Sequence, residues 1–512
     1  MPRSGKRTRR GRAGRQRDSA RKRALERLPY IQNRIPYTEL LSAEALETIE
    51  HNADTILEEI GIEFRGDAEA LDIWRRAGAV VRQERVRIPR GMARKLCGTA
   101  PAQFTMHARN PDCSLEIGGR NLVFAPVGGA PFVEDLDHGR RYGTIEDFEN
   151  FVKLSHMSPA IHHAGFHHCE PTDVAVNKRH LDMTYALLRY SDRPFMGVGT
   201  HPERAADCIE MAGIVFGKDF LEDHVVMNTV INVNSPLVLD ETMTGSLKVY
   251  SRSNQAPIVT PALLAGAMGP VTAAGCLSQL LAEGMAGIAF TQLVNPGSPV
   301  VFGSFLGAVS MRSGAPVFGT PECLHMLYGA GQLARRLGVP FRTGGSLCAS
   351  KTPDFQAAQE STAMQYATAM SGANLVHQGA GWLDGGLCAS FEKFVMDADH
   401  LVMVQRFCEG IDVSESALAL DAIREVGPGS HFLGAQHTQE HYRTAFVESE
   451  FWDTGSYEQW VDGGSTTAAQ RANAIWKQKL NDYEAPPIDP AIDEALCQFV
   501  SEKKAGMPDS NV

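Results

Sequence analysis

The sequence predicts a TIM-type (β/α)8 barrel with an N-terminal α+β extension and a set of C-terminal helices. Over roughly 250 residues from about residue 144, apolar runs of four to eight residues end in Gly, Asn, Pro or Ser and alternate with helices rich in small residues. No GxGxxG motif opens a helix, and polar residues recur at successive strand ends. Both features favour a closed barrel over an open, doubly wound sheet.

The barrel strands are predicted from apolar runs bounded by turn residues. They lie at residues 161–165, 195–199, 225–232, 258–261, 288–293, 300–303, 339–343 and 375–377. Helices are predicted between most of them, at residues 144–155, 177–189, 202–215, 235–253, 272–286, 322–337 and 356–370. No helix separates 288–293 from 300–303, so one of these two runs is predicted to be a loop or an accessory piece.

Charge divides the chain into a basic arm and an acidic body. Residues 1–23 contain eleven Lys or Arg and one Asp, a net charge of +10; the whole chain carries −11, so the remainder carries −21. The arm, residues 1–30, has almost no apolar residues and is predicted to be disordered, as an inert tail in preference to a contact with an acidic protein or RNA. Residues 31–143 are predicted to be the α+β lead-in, 144–410 the barrel and 411–512 the C-terminal helices.

Composition excludes several classes of function. The acidic body argues against nucleic acid as the main ligand. No uninterrupted apolar run reaches about 18 residues, so no membrane-spanning helix is expected. The ten cysteines include no CxxC pair, which favours a cytoplasmic protein with reduced thiols and offers no spacing for structural zinc. GxSxG, P-loop and HExxH motifs are absent from the sequence.

Polar residues at the predicted strand ends form the candidate site, because the carboxyl ends of barrel strands meet at one mouth. These residues are Asn232, Arg342, Gly344, Gly345, Ser346 and His377. The glycines allow a ligand to approach the backbone closely, and a loop that leads into a helix offers free N–H groups to an anion. A tight strand-to-helix turn explains the same glycine pattern, and a hydrogen-bonded structural role is the alternative to a site role for His377.

Four further residues extend the candidate site. Glu322 directly precedes an apolar helix, which suits either a carboxylate that faces a cationic substrate or one that complements the helix dipole. Trp382 and Phe391 flank the loop that contains Asp384. Their rings suit either an alkylammonium group or ordinary packing.

The run HHAGFHHCE at residues 162–170 is the closest approach to a metal-binding pattern. It supplies enough imidazole, thiolate and carboxylate groups for zinc. Adjacent residues on a strand point to opposite faces, however, so only part of the set can converge. A structural or mouth-lining role is favoured, and zinc stays an alternative.

Five segments together resemble the trimethylamine methyltransferase family of corrinoid-dependent methyltransferases. They are residues 125–139 (APVGGAPFVEDLDHG), 260–274 (TPALLAGAMGPVTAA), 319–327 (GTPECLHML), 350–360 (SKTPDFQAAQE) and 373–391 (ANLVHQGAGWLDGGLCASF). The resemblance covers nearly everything after about residue 30. It implies a TIM barrel whose mouth docks a separate corrinoid protein, on which cob(I)alamin accepts the methyl group of a methylated amine.

One departure from the family pattern bears on the substrate. The trimethylamine-using members carry pyrrolysine near the segment that matches residues 350–360, whereas this chain has only standard residues there. A quaternary ammonium already carries the charge that makes its leaving group neutral, so the departure favours a quaternary amine such as glycine betaine. Aromatic and carboxylate groups are then expected to hold the cation, and Arg342, His377 or the loop at residues 344–346 its carboxylate.

The resulting assignment is as follows. His377 and Glu322 are predicted to be catalytic, residues 344–346 to contact the corrinoid, and Asn232, Arg342, Trp382, Asp384 and Phe391 to bind substrate. The expected partners are a corrinoid protein and, from the fold class, further copies of the chain. Three alternatives remain: a trimethylamine or other methylamine enzyme, a zinc-dependent barrel enzyme, and a barrel that binds betaine without turnover.

Overall fold

The computed structural model of the protein describes residues 28–165 and 167–510, so most of the predicted basic arm lies outside the described residues. The strands are β1 (Ile31–Gln32), β2 (Ile62–Arg65), β3 (Val80–Arg82), β4 (Arg85–Arg87), β5 (Gln103–Met106), β6 (Leu115–Gly118), β7 (Asn121–Phe124), β8 (Phe132–Asp135), β9 (Gly139–Tyr142), β10 (Phe195–Met196), β11 (Met227–Val233), β12 (Val238–Asp240), β13 (Ala256–Ala265), β14 (Val301–Gly303), β15 (Phe305–Val309), β16 (Pro316–Val317), β17 (Phe341–Gly344), β18 (Leu375–His377), β19 (Trp382–Leu383) and β20 (Cys388–Ser390). The helices are α1 (Ala43–Thr55), α2 (Ala68–Ala77), α3 (Met92–Cys97), α4 (Ile145–Met157), α5 (Arg179–Tyr190), α6 (Pro202–Phe216), α7 (Lys218–Asp223), α8 (Glu241–Arg252), α9 (Ala273–Val294), α10 (Pro321–Leu337), α11 (Phe355–Ser371), α12 (Phe391–Cys408), α13 (Glu415–Leu418), α14 (Leu420–Val426), α15 (Gln436–His441), α16 (Tyr457–Asp462), α17 (Ala468–Asn481) and α18 (Pro490–Ala505).

A curled sheet of parallel strands forms the centre of this α/β fold. Its strands follow the spatial order β7, β18, β17, β14, β13, β11 and β10, and the short β1 pairs antiparallel with β7. Helices α6, α8, α9, α10 and α11 connect strands of this sheet along the chain. The predicted alternation of parallel strands and helices is therefore confirmed. The sheet also includes β7, which lies within residues 31–143, so the predicted lead-in contributes a central strand.

Residues 161–165 lie between the two ends of the sheet but do not form the predicted regular strand. The N–H groups of His162 and His163 both donate to the Phe124 carbonyl, at 2.9 and 3.2 Å, and the Met196 N–H donates to the Gly165 carbonyl at 3.0 Å. The Gly165 N–H is taken by His163 Nδ1 at 2.9 Å, and Gly165 has a φ of +88°. Two N–H groups share the Phe124 carbonyl, and the backbone turns at Gly165. Both features interrupt the hydrogen-bond ladder of a regular strand.

The inner face of the sheet is apolar at one end and polar at the other. Side chains two residues apart on a strand share a face. At the amino ends of the strands this face is filled by buried apolar residues, together with residues of the β5–β6 hairpin. At the carboxyl ends the same face presents one row in register, namely Asn232, Thr260, Gly303 and Arg342. The polar end of the inner face is thus the end where the sequence predicts a site.

Helix α9 shows where the apolar pattern misleads. Residues 288–293, predicted as a strand, are its last turns. A helix that is apolar on all sides cannot be told from a buried strand by periodicity alone. It is also long and apolar enough to cross a membrane, but 83% of its most apolar 18-residue window is buried inside the fold. Glycines permit this burial, since a Cβ at Gly284 would lie 2.1 Å from the Phe302 ring.

The C-terminal helices pack on the outside of the fold. The Trp476 ring of α17 stacks on Phe391 with centroids 4.8 Å apart, and its Nε1–H donates to Glu392 at 2.9 Å. In α18, Lys503 pairs with Asp207 at 2.7 Å. The contacts of Trp476 hold α17 against the start of α12, and the Lys503 pair holds α18 against α6.

Candidate functional site

Arg342 is a fully buried cation on the inner face of β17. Its Nη1 donates to the Ser304 carbonyl at 3.0 Å, and its Nη2 donates to His377 Nδ1 at 2.8 Å and to Gln378 Oε1 at 2.9 Å. Its Nε has no hydrogen-bond partner within residues 28–165 and 167–510. Burial lowers the pKa of the guanidinium to about 9, and in the described part of the chain no carboxylate pairs with it. An unpaired buried cation costs free energy, so this position is suited to an incoming anion.

His377 ends β18 beside Arg342. Because its Nδ1 accepts the hydrogen bond from Arg342, the proton of the neutral imidazole is assigned to Nε2. Burial, followed by the positive charge of Arg342, holds the pKa of His377 well below its usual range. Gly128 faces this Nε2, since a Cβ there would lie 2.8 Å from it. His377 is therefore a neutral imidazole whose Nε2–H finds no acceptor among the described residues.

The loop that follows β18 holds an unusual backbone conformation. Gln378 has a φ of +57°, a left-handed value that is costly for a residue with a side chain. Its N–H donates to the Pro126 carbonyl at 3.1 Å, and its side-chain oxygen accepts from Arg342. Strain of this kind persists where the surroundings determine the conformation, and here it turns the Gln378 side chain toward the guanidinium.

Aromatic rings lie on the side of the site formed by β15 and β19. The Trp382 ring packs against Phe305, with centroids 6.1 Å apart, and against Phe318 at 6.5 Å. Phe305 follows Ser304, whose carbonyl accepts from Arg342. Trp382 is buried, and its Nε1–H has no partner in the described structure. The arrangement places apolar, electron-rich faces next to a buried cation that can hold an anion, which suits a small zwitterion.

Comparison with known proteins identifies the family. The trimethylamine methyltransferase (MTTB) family model matches residues 8–508. The chain belongs to the trimethylamine methyltransferase family. A glycine betaine methyltransferase of Desulfitobacterium hafniense (strain Y51) is 41% identical over 470 residues, which are 92% of this chain and 98% of that protein. Trimethylamine methyltransferase MttB of D. hafniense (strain DSM 10664 / DCB-2) is 27% identical over 471 residues, 90% and 93% of the two chains. An L-carnitine:corrinoid methyltransferase of Eubacterium limosum is 25% identical over 462 residues, 86% and 92%.

As an MTTB-family protein the chain is a methyltransferase, and the resemblance seen in the sequence is confirmed. The structure brings three of the predicted residues together on the inner face, near the carboxyl ends of the strands: Asn232, Arg342 and His377. Asn232 is exposed at the end of β11. Trp382 joins them through Phe305.

The loop Gly344–Gly345–Ser346 does not offer the free N–H groups that the sequence predicts. The Gly345 N–H donates to the His377 carbonyl at 2.9 Å, and the Ser346 N–H donates to the Gln378 carbonyl at 2.6 Å. The glycines instead permit close packing, since a Cβ at Gly345 would lie 2.7 Å from the Val376 side chain. Both N–H groups of this MTTB-family loop are used to hold it against the loop after β18.

Three other predicted residues are occupied by structural contacts. Phe391 is stacked between Phe151, at 4.3 Å, and Trp476, so its ring is not available to the inner face and its predicted contact with substrate is not supported. Asp384 pairs with Arg140 at 3.0 Å and Lys351 at 3.6 Å, which leaves its carboxylate neutralised. Glu322 is exposed in the first turn of α10, where hydrogen bonds from its own N–H and Thr320 lower its pKa.

The predicted site omits the residues behind His377. His163 and His168 lie close enough for their charges to oppose protonation of His377, and burial lowers the pKa of each to about 3. Asn228 lies beside His163 on the inner face of β11. The HHAGFHHCE run was a usable signal for the two histidines. Gly128 gave none, because only the fold brings it to His377.

Among the described residues of the HHAGFHHCE run, the potential metal ligands do not converge on one point. His162 Nδ1 accepts from the Phe124 N–H at 3.0 Å, His163 Nδ1 accepts from Gly165, and His167 pairs with Glu170 at 2.8 Å. The rings therefore turn to different partners. Across residues 28–165 and 167–510, one group of three or more potential ligands converges within 4.8 Å, Asp135, Asp137 and His138. Its carboxylates pair with Arg141 and Lys477.

Proposed function

We propose that this methyltransferase moves a methyl group from a carboxylate-bearing quaternary amine of the glycine betaine type to cob(I)alamin on a separate corrinoid protein. The observation that carries the proposal is Arg342, a buried guanidinium at the carboxyl ends of the parallel strands whose contacts in the described chain are all neutral. A glycine betaine methyltransferase at 41% identity and nearly full coverage supports the same substrate class. Trimethylamine methyltransferase MttB of D. hafniense is related at only 27% identity.

We infer further that the curled sheet is a closed barrel in which residues 161–165 occupy the position of the eighth strand. Backbone hydrogen bonds support this, since these residues join the Phe124 carbonyl on one side and the Met196 N–H on the other. A closed barrel gives a single mouth at the carboxyl ends of its strands, where the methyl acceptor must arrive. Residues 344–346 follow β17 at this mouth, and their predicted contact with the corrinoid stays a proposal.

In the proposed reaction the chain binds and orients the substrate. The carboxylate accepts hydrogen bonds from Arg342 Nε and His377 Nε2, two buried donors that have no partner among the described residues. The ammonium group lies toward Trp382 and Phe305, with the methyl group directed out of the mouth. The methyl carbon gains its new bond from the electron pair of the acceptor, while the pair of the broken C–N bond stays on nitrogen. The amine leaves neutral, so no side chain has to supply or remove a proton.

The segment that matches the pyrrolysine region supports a substrate that needs no activation. Asp354 accepts from the Ala357 N–H at 3.0 Å and so caps α11, and Glu360 accepts from the Ala349 N–H. These side chains stabilise a loop and a helix end. The absence of pyrrolysine remains a prediction from the standard residues at 354–360.

Location and assembly are also proposals. All ten cysteines are free, and nine of them are at least partly buried, which supports the predicted cytoplasmic location. A homo-oligomer stays a prediction from the sequence.

Methyl transfer to cob(I)alamin tests the function. Purified protein is mixed with cob(I)alamin, alone and on corrinoid proteins, and the conversion to methylcobalamin is followed by absorbance with glycine betaine, carnitine, choline and trimethylamine. We expect glycine betaine to be the best substrate and choline, which has the same ammonium group without the carboxylate, to be poor. Turnover with trimethylamine alone would move the assignment to the methylamine alternative. Stoichiometric zinc in the purified protein would favour the zinc-dependent enzyme. Tight binding of betaine without methyl transfer would favour the barrel that binds betaine without turnover.

A further inference from the structure

A buried ion pair lies beneath the two loops of the candidate site. Lys393 and Asp397 stand one turn apart on α12, and their side chains are 3% and 7% exposed. The lysine ammonium lies 2.5 Å from Asp397 Oδ1. Neither residue touches Arg342 or His377 directly in the described contacts, so the pair is outside the site defined above.

Lys393 holds the loop after β17. Its Nζ donates to Ser346 Oγ at 3.0 Å and to Ser361 Oγ at 2.8 Å, in addition to Asp397. Ser361 belongs to α11 and its hydroxyl also donates to the Ser346 carbonyl. An ammonium group has three protons to donate, and all three have acceptors here. The lysine therefore ties Ser346 to two helices at once.

Asp397 holds the loop after β18. Its second oxygen accepts from the Gly381 N–H at 2.9 Å, in the turn that follows Gln378. The two loops are also joined to each other, because Ser346 donates its N–H to the Gln378 carbonyl. Lys393 thus holds the loop after β17, and Asp397 holds the loop after β18.

We propose that Lys393 and Asp397 are positioning residues, which hold the loops that place His377 beside the substrate and Gln378 beside Arg342. A buried ion pair contributes little net stability compared with apolar residues of the same volume, so its value lies in the geometry that it fixes. Misplacement of a binding group by about 1 Å can reduce a rate about a hundredfold. This proposal rests on the proposed function for its kinetic consequence, but the ordering of the loops can be measured without any substrate.

The test compares two matched double variants. Lys393→Met with Asp397→Asn removes both charges, so neither is left buried and unpaired, and the asparagine oxygen can still accept from Gly381. Lys248→Met with Asp67→Asn does the same to another buried pair, 2.8 Å apart, which joins α8 to the N-cap of α2 far along the chain from these loops. Backbone amide exchange is measured over residues 344–346 and 377–381, followed by kinetics with glycine betaine.

In the Lys393/Asp397 variant we expect amide exchange in both loops to rise at least about tenfold and the KM for glycine betaine to rise about tenfold. Every value for the Lys248/Asp67 variant should stay within about twofold of the wild type. Unchanged exchange in the two loops, or an equal rise in the control variant, would overturn the proposal. If the wild-type protein turns over no quaternary amine, the proposed function fails, while the exchange data still decide whether the pair orders the loops.

Discussion

Replacing Arg342 with methionine should lower the kcat/KM for glycine betaine about 10²–10³-fold while changing the free energy of unfolding by at most about 4 kcal/mol. The stability part follows from two opposing terms. Burial lowers the pKa of Arg342 from 12.5 to about 9, which corresponds to roughly 5 kcal/mol of desolvation cost that methionine would not incur. Against this, the Ser304 carbonyl, His377 Nδ1 and Gln378 Oε1 each lose a donor, at about 1–3 kcal/mol each. At about 2 kcal/mol per lost donor the two terms nearly cancel, and over the full range of the second term the free energy of unfolding should change by less than about 4 kcal/mol.

The effect on activity should be much larger. A charge-assisted contact to a desolvated carboxylate is worth about 3–4 kcal/mol when one partner is removed, which is about 10²–10³ in kcat/KM. The decrease in kcat/KM should be confined to substrates that carry a carboxylate. Choline offers the same trimethylammonium group without one, so its kcat/KM should change by less than about threefold. Arg342→Lys should recover only part of the activity, because an ammonium cannot fork between His377 and Gln378.

The assay is methylcobalamin formation with glycine betaine and with choline, measured on the same preparations together with thermal unfolding. Three results would refute the reasoning. The kcat/KM for glycine betaine could be unchanged in Arg342→Met; activity could fall equally on both substrates; or the variant could unfold at a much lower temperature than the wild type. The first would remove Arg342 from the carboxylate site, the second would make its role general, and the third would make it structural.

Three further predictions follow from the same site. In Gly128→Ala, the new Cβ would lie 2.8 Å from His377 Nε2, so kcat/KM for glycine betaine should fall at least about tenfold; unchanged kinetics would place the ligand on another side of the ring. Burial holds neutral the four imidazoles His162, His163, His168 and His377. Their folded pKa values lie below the unfolded value of about 6.5, so the stability that they confer is present above pH 6.5 and is lost as the pH falls. The free energy of unfolding should then decrease by up to about 5 kcal/mol per pH unit. Urea unfolding at pH 7, 6 and 5 should show this decrease, and a constant midpoint would contradict it. Glu322→Gln should leave kcat/KM within about twofold, because the carboxylate is exposed and bound locally, whereas a tenfold loss would restore its predicted catalytic role.

Elements with marked ends were predictable from the sequence. Helix α11 was predicted at 356–370 and spans Phe355–Ser371, because Asp354 caps its start and Gly372, with a φ of +83°, ends it. Helix α10 ends in the same way at Gly338. Where such signals are absent, prediction fails. Helix α9 has no glycine at its end and no polar face, so the apolar pattern wrongly predicts a strand at its last turns.

The site was predictable where it depends on the order of strands, and not where it depends on packing. Arg342 and His377 lie on one face of the adjacent parallel strands β17 and β18, two residues apart in register, so their convergence follows from the parallel topology. Whether an aromatic ring meets a ligand or another ring is decided by remote segments. Phe391 is stacked by residues 151 and 476, which are distant in sequence. The same reason hides Gly128, whose importance lies only in the missing Cβ opposite His377.

The protonation states of the site fit a transfer that moves no proton. Arg342 keeps its charge at neutral pH even with a pKa near 9, and His377 stays neutral because burial and that charge oppose its protonation. Neither group titrates near pH 7, so neither is poised for general acid–base catalysis. Methyl transfer from a quaternary ammonium needs no acid–base catalysis, because the nitrogen keeps the electron pair of the broken bond and the amine leaves uncharged. A tertiary amine would leave as an anion unless it were first activated, and these two residues supply no proton for that step. The chemistry of the buried pair therefore favours the quaternary substrate independently of the residues at 354–360.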